Sequence, residues 1–137
     1  MVETETDIRA PLQHLIKDKY SSIIEILDDR ELASLGDAFI NFIYSLALSK
    51  VAGRPIGRKL DSRLLSSALK KAGIRNLLPH RVDRHRQADA AEALIVYGWL
   101  SGAISIQETL DVLARNGETS DNICALLKII LERSGMH

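Results

Sequence analysis

LASLGDAFINFIYSLALSK, residues Leu32 to Lys50, is the stretch on which the fold turns. Leu32, Leu35, Phe39, Phe42, Ile43 and Leu46 recur at spacings of three and four, which predicts a helix with a wide buried stripe. Gly36 and Asp37 sit inside that run. A glycine in a helix interior costs about 1 kcal/mol against alanine. A position that accepts this cost gains close approach of another backbone or a ligand. A lone carboxylate cannot be buried cheaply. Asp37 therefore needs a cation, a hydrogen-bond cage or a metal, unless it simply reaches solvent.

Outward from this stretch, apolar spacings of three and four run almost throughout. A helix is expected from about Arg9 or Pro11, carrying Leu12, Leu15, Ile16 and Tyr20, and the pattern continues through Ile23, Ile24 and Leu27. Asp28 and Asp29 are placed to cap the central helix. Gly53, Pro55 and Gly57 punctuate a turn after it. Asp61 or Ser62 caps the next helix, which Gly73 ends. The basic run Arg81 to Arg86 leads into a helix holding Ala88 to Leu100. Ser105 and Glu108 have capping-box form, and Thr119 to Asp121 are expected to cap the last helix, from Ile123 to about Glu132. Residues 1–8 are polar and acidic and are expected to fray. The prediction is a single all-α domain of about six or seven helices over residues 1–137.

Composition narrows the class. The 137 residues are 46% hydrophobic and 26% charged, as a soluble domain with a real core should be. The single cysteine, Cys124, lies in an apolar run and is expected to be a buried thiol. It rules out an internal disulfide and argues against a cysteine-based zinc site. No leader-like or membrane-spanning run is evident, so a cytoplasmic location is expected. The net charge of zero conceals an asymmetry. Residues 1–53 hold five basic and nine acidic side chains, residues 54–86 ten and two, and residues 87–137 three and seven. The central segment, at +8 between two segments at −4, is a candidate polyanion surface. The competing reading is that its charges pair with the acidic flanks.

Asp89 and Glu92 lie three apart on the fifth expected helix, so their carboxylates share a face. Alanines surround them and allow close helix approach. Taken alone they are an ordinary exposed acidic pair. If the Asp37 face meets theirs, three carboxylates converge, and they would not all ionise without a cation. Mg²⁺ or Mn²⁺ prefers such oxygen ligands.

The order of these pieces, Leu35-Gly36-Asp37-Ala38, a basic segment with LLSSALKKAG at residues 64–73, then Ala88-Asp89-Ala90-Ala91-Glu92-Ala93-Leu94-Ile95, resembles the ribonuclease III catalytic domain. That family carries E-x-L-E-x-L-G-D-A on one helix and A-D-x-x-E-A-L-I on a later one. The likeness runs from about residue 23 to residue 116. It is strongest to the short archaeal and mini-III forms without a double-stranded RNA-binding domain. The resemblance implies a ribonuclease III-like helical fold, a homodimer, and a metal-dependent endoribonuclease acting on double-stranded or structured RNA. It places Asp37, Asp89 and Glu92 at metal positions for Mg²⁺ (or Mn²⁺), with Asp37 and Glu92 catalytic. Asn41, one turn after Asp37, is either a further neutral oxygen donor to the metal or a structural hydrogen-bonding group. Arg54, Arg58, Lys59, Arg63, Lys70, Lys71, Arg84 and Arg86 become candidate phosphate contacts.

The pattern is broken at two points. The family's other two acids fall on Arg30 and Ala33, and Ser34 replaces an aromatic that many members use in dimer packing. Two readings follow: an endoribonuclease with a reduced ligand set, or a non-catalytic dimer that binds structured RNA, for instance within a ribonucleoprotein particle.

Overall fold

The computed structural model describes residues 4–135, and among them all regular structure is helical. The helices are α1 (Glu5–Arg9), α2 (Ile23–Leu27), α3 (Arg30–Ala52), α4 (Ser62–Lys71), α5 (Arg84–Leu100), α6 (Ile106–Leu113) and α7 (Thr119–Ser134), with 3₁₀ turns at Ala10–Leu15 and Arg75–Leu77. The all-α expectation holds.

Local chemistry sets most of the boundaries. The side chains of Asp29, Asp61, Asp83 and Ser105 accept from the backbone N–H groups of Leu32, Arg63, Arg86 and Glu108. Each such cap is worth about 1 kcal/mol. Gly53 takes a φ of 72° at the end of α3, a left-handed conformation that other residues rarely adopt.

The centre of the molecule is α5, which is buried on almost every side. Ala90, Ala91, Ala93, Leu94, Ile95 and Leu100 are fully buried. Its alanines leave room for the four helices α2, α3, α4 and α7 to pack around it. The long α3 lies across α5 and is its principal neighbour. This corrects the expected stripe on α3. Leu32 and Ile43 are buried, but Leu35, Phe42 and Leu46 are exposed, Phe42 at 63%. The buried small-residue face is instead Ala33, Gly36, Ile40, Ile43 and Ala47, and Gly36 on it meets α5. The helix has two apolar faces, and periodicity alone could not say which one met the core. Of the described helices, α3 is long and apolar enough to cross a bilayer. Its small-residue face is committed to α5, as in a core helix.

Residues 5–8, within the stretch expected to fray, lie in α1. Thr4 and Asp7 form a capping box. The Glu5 carboxylate accepts from Trp99 Nε1 at 2.9 Å and from the Ile106 N–H at 3.0 Å. An anion at the start of α6 is favoured by that helix's dipole, which explains why an acidic segment docks there. The remainder of the expected frayed segment, residues 1–3, lies outside the described residues. Cys124 is buried, as expected.

Candidate active site and metal centre

Gly36 is the point at which α3 touches α5. A Cβ built there would lie 2.0 Å from the Glu92 carbonyl oxygen and 2.5 Å from its carbon. No side chain fits, and the contact is to backbone, which cannot rotate away. The glycine therefore brings the residue after it, Asp37, onto the face of α5 that carries Asp89 and Glu92. All three carboxylates line one open cleft of about 420 Å³.

Asp37 is half-buried and held from its own helix. Asn41, one turn on, donates through Nδ2 to Asp37 Oδ1 at 2.8 Å and to the Asp37 carbonyl at 2.8 Å. The Asn41 oxygen accepts from the Leu60 N–H at 2.7 Å. Asn41 is thus placed as an orienting group whose oxygen faces the chain after α3.

It is one of three. Ser45 exchanges hydrogen bonds with the backbone of Arg58, and Ser49 with that of Ile56. Residues 41, 45 and 49 advance by one helical turn each, while 60, 58 and 56 advance by two along an extended segment. This zipper lays residues 56–60 antiparallel along α3. It delivers Lys59 to Asp37, with Nζ 3.8 Å from Oδ2. Ser45 and Ser49 went unremarked in the sequence; their spacing with Asn41 was the available signal.

Glu92 is the most perturbed acid. It is 5% exposed, and its Oε2 has no hydrogen-bond partner. Its pKa is pushed up from the ordinary carboxylate range to about 9. Burial comes first, then the Asp37 carboxylate, which can share the Glu92 proton and repels its charged form, then the charge of Asp89; Lys59 pulls the other way. Without a cation the site holds a protonated Glu92 beside Asp37.

The three acids suit a hard divalent ion, since they offer carboxylate oxygens and one of these is buried and unsatisfied. Among the described residues, no three acidic, histidine or cysteine side chains are grouped tightly enough to form a ready-made ion cage. An ion here would lean on one or two carboxylates and complete its shell with water and substrate oxygens, as Mg²⁺ commonly does. Arg30, Ala33 and Ser34 line the same cleft, so the positions that break the family pattern are at the site itself. Leu60, Ser62, Leu65 and His85 also line it and were not among the site residues expected from the sequence.

The basic segment divides. Lys71 is bound to Asp121 at 2.7 Å and to Ser120, Arg86 pairs with Asp28, and Arg63 with Asp61 at 2.9 Å. With Lys59 on Asp37, half of the eight candidate phosphate contacts have acidic partners within the chain. The asymmetry of the sequence is therefore partly self-neutralised. Arg54, Arg58, Lys70 and Arg84 are exposed, and none of them takes part in an ion pair among the described residues.

A family model described as ribonuclease III matches residues 30–129, which run from the first residue of α3 into α7. No curated protein matches the chain in a sequence comparison. The matched span contains the α3–α5 contact, all three cleft carboxylates and the basic segment, and it covers well over half of the chain: the protein belongs to the ribonuclease III family.

Proposed function

We propose that this chain is a cytoplasmic, metal-dependent endoribonuclease that hydrolyses phosphodiesters in double-stranded or structured RNA and works as a homodimer. The observation that carries the reading is the Gly36 contact, because it puts Asp37 beside a buried Glu92 with an unsatisfied oxygen, in a cleft open to solvent. Retaining a desolvated acid at such a place costs stability, and function is the usual reason for accepting it.

Asp37 and Glu92 would hold Mg²⁺ or Mn²⁺, with Asp89 at the rim. A bound divalent ion would make a water easier to deprotonate for attack on phosphorus and would neutralise charge on the phosphate oxygens. The rest falls to the chain's own groups. Glu92 must release its proton before its carboxylate can bind a cation. Asn41 fixes the Asp37 carboxylate, so that it need not reorganise. Lys59 moves off Asp37 or stays as a second positive group beside the phosphate; at 75% side-chain exposure it is free to do either. The exposed cations suit contact with A-form backbone rather than base edges.

The homodimer is supported by the outer face of α3. Leu35, Phe42 and Leu46 form an exposed apolar stripe on the side away from α5. An apolar face of this kind marks a contact surface. Phe42→Glu is expected to turn a dimer into a monomer in sedimentation velocity, with Tm changed by only a few degrees. A dimer that survives the charge would remove α3 as the interface.

The second reading, a non-catalytic RNA-binding dimer, is favoured by Arg30 and Lys59 standing in the cleft with the acids. One assay separates the two: cleavage of long double-stranded RNA by the purified protein with Mg²⁺, with Mn²⁺ and with chelator, alongside Asp37→Asn. Metal-dependent cutting, lost more than about 100-fold in Asp37→Asn while RNA binding persists, is the expected result. Binding without cutting in any of the three conditions would leave the non-catalytic reading.

A further inference from the structure

Next to the acidic cleft lies a second one, of about 360 Å³, lined by Arg63, Ser66, Ser67, Lys70, Arg84 and Gln87. It contains three cations and three neutral hydrogen-bonding groups, and no carboxylate lines it. Helix geometry separates the two clefts. On α4, Ser62 and Leu65 face the acidic cleft, while residues 63, 66, 67 and 70 face the basic one. On α5, His85 and Ala88 take the first side, Arg84 and Gln87 the second.

The floor of the basic cleft is fixed. Ser66 Oγ donates to Gln87 Oε1 at 2.9 Å, and both residues are buried. Gln87 Nε2 donates in turn to the Val82 carbonyl at 3.2 Å. These bonds tie α4 to α5 beneath the cations. At the wall between the clefts, Arg84 Nε donates to Ser62 Oγ at 3.2 Å, and Ser62 lines the acidic side. The charge that remains available belongs to Lys70 and Arg84. Arg63 is engaged by Asp61, whose carboxyl is held at about 2 chiefly by its hydrogen bonds from Arg63, with a smaller contribution from the charge of Arg84, which forms no ion pair with it.

We propose that the basic cleft seats a backbone phosphate of the same RNA whose scissile phosphate lies in the acidic cleft, with Lys70 and Arg84 as the charged contacts; this rests on the ribonuclease reading above. Cations with hydroxyl and amide donors, and no aromatic face, match a phosphodiester rather than a base. In the neighbouring cleft Asp37 and Asp89 are set against Arg30 and Lys59, so it offers phosphate no surplus of positive charge. A fixed positive anchor one helix face away would hold the strand in register across it. Sequence does not enter, so recognition here is of backbone spacing.

The test is fluorescence anisotropy in EDTA with a double-stranded RNA long enough to cross both clefts, over a series of salt concentrations. Lys70→Ala/Arg84→Ala is expected to weaken binding by about tenfold or more and to lower the slope of log K against log salt by about two. Both side chains are exposed, so Tm should not move. Lys71→Ala, which loses a cation held by Asp121, serves as the control and should bind like the native chain. In Mg²⁺, the double variant should raise KM and leave kcat within about twofold, the pattern of lost ground-state binding. Unchanged affinity and slope in the double variant would overturn the proposal. If the native chain still cuts RNA in that case, the anchor alone fails and the ribonuclease reading stands. If the double variant loses binding but the native chain never cuts, the anchor stands as an RNA site and the nuclease reading falls. A native chain that binds no RNA overturns both.

Discussion

Gly36→Ala is expected to lower the stability of the protein by more than about 3 kcal/mol, beyond the usual range for overpacking. On helix propensity alone the change should stabilise, by about 1 kcal/mol. Sterics reverse the sign. The added methyl would sit 2.0 Å from the Glu92 carbonyl oxygen, and neither backbone can yield without shifting a helix. Because α3 and α5 form the largest contact in the molecule, a shift there propagates through the core. The comparison variant is Gly98→Ala. Its methyl would meet the side chain of Ile130 at 2.7–2.8 Å, and a flexible side chain can rotate. Thermal melts should therefore show a fall of about 10 °C or more for Gly36→Ala, and a clearly smaller one for Gly98→Ala. A Gly36→Ala protein as stable as the native chain would mean that α3 does not approach α5 at Gly36. The basis for joining Asp37 to Glu92 would then be gone.

Glu92→Gln should do the opposite to stability and remove function. With its pKa near 9, Glu92 is favoured in the folded state when protonated. Its contribution is fully present below the ordinary carboxylate range and is lost as the pH rises towards 9. Each pH unit across that window is worth up to about 1.36 kcal/mol, so the accumulated loss is a few kcal/mol. In chelator, Tm of the native chain should fall from pH 5 to pH 9 relative to Glu92→Gln by about 10 °C. Glutamine keeps the shape and does not ionise, so its curve should lack this slope. Mg²⁺ favours the ionised carboxylate and should recover much of the difference at pH 8 for the native chain, and little for the variant. Cleavage should drop by more than about 100-fold. Parallel Tm curves for the two proteins would show that Glu92 is not the buried acid described here.

The helices from α3 onward and several of their caps were legible because the interactions that make them are local; α1 was not, and α7 starts at Thr119 after Glu118, so that Thr119 to Asp121 form its first turn and do not cap it. Asp29, Asp61 and Ser105 lie within a few residues of the N–H groups they accept from, so the sequence places them side by side. The importance of Gly36 was legible for a related reason: a glycine inside a strongly apolar helix has a cost that something must offset. Asp37, Asp89 and Glu92 could be singled out from their helix faces and from the resemblance. What joins them is a contact between residues 36 and 92, which no local rule contains.

Choices among faces and partners were not legible. Phe42 and Ile43 are equally apolar neighbours, yet one is in water and the other in the core, because α5 lies on only one side of α3. Lys70 and Lys71 are identical in chemistry and adjacent in sequence. Lys71 meets Asp121, fifty residues away, whereas Lys70 lines the basic cleft. Glu5, in a segment that reads as a frayed acidic tail, caps a helix a hundred residues further on. The sequence by itself determined the main helices, most of their ends and the residues able to hold a cation, since these depend on spacing within one helix turn. Only the tertiary structure decided which carboxylate is desolvated and which cations remain available, since burial and ion pairing depend on what the packing of distant helices brings together.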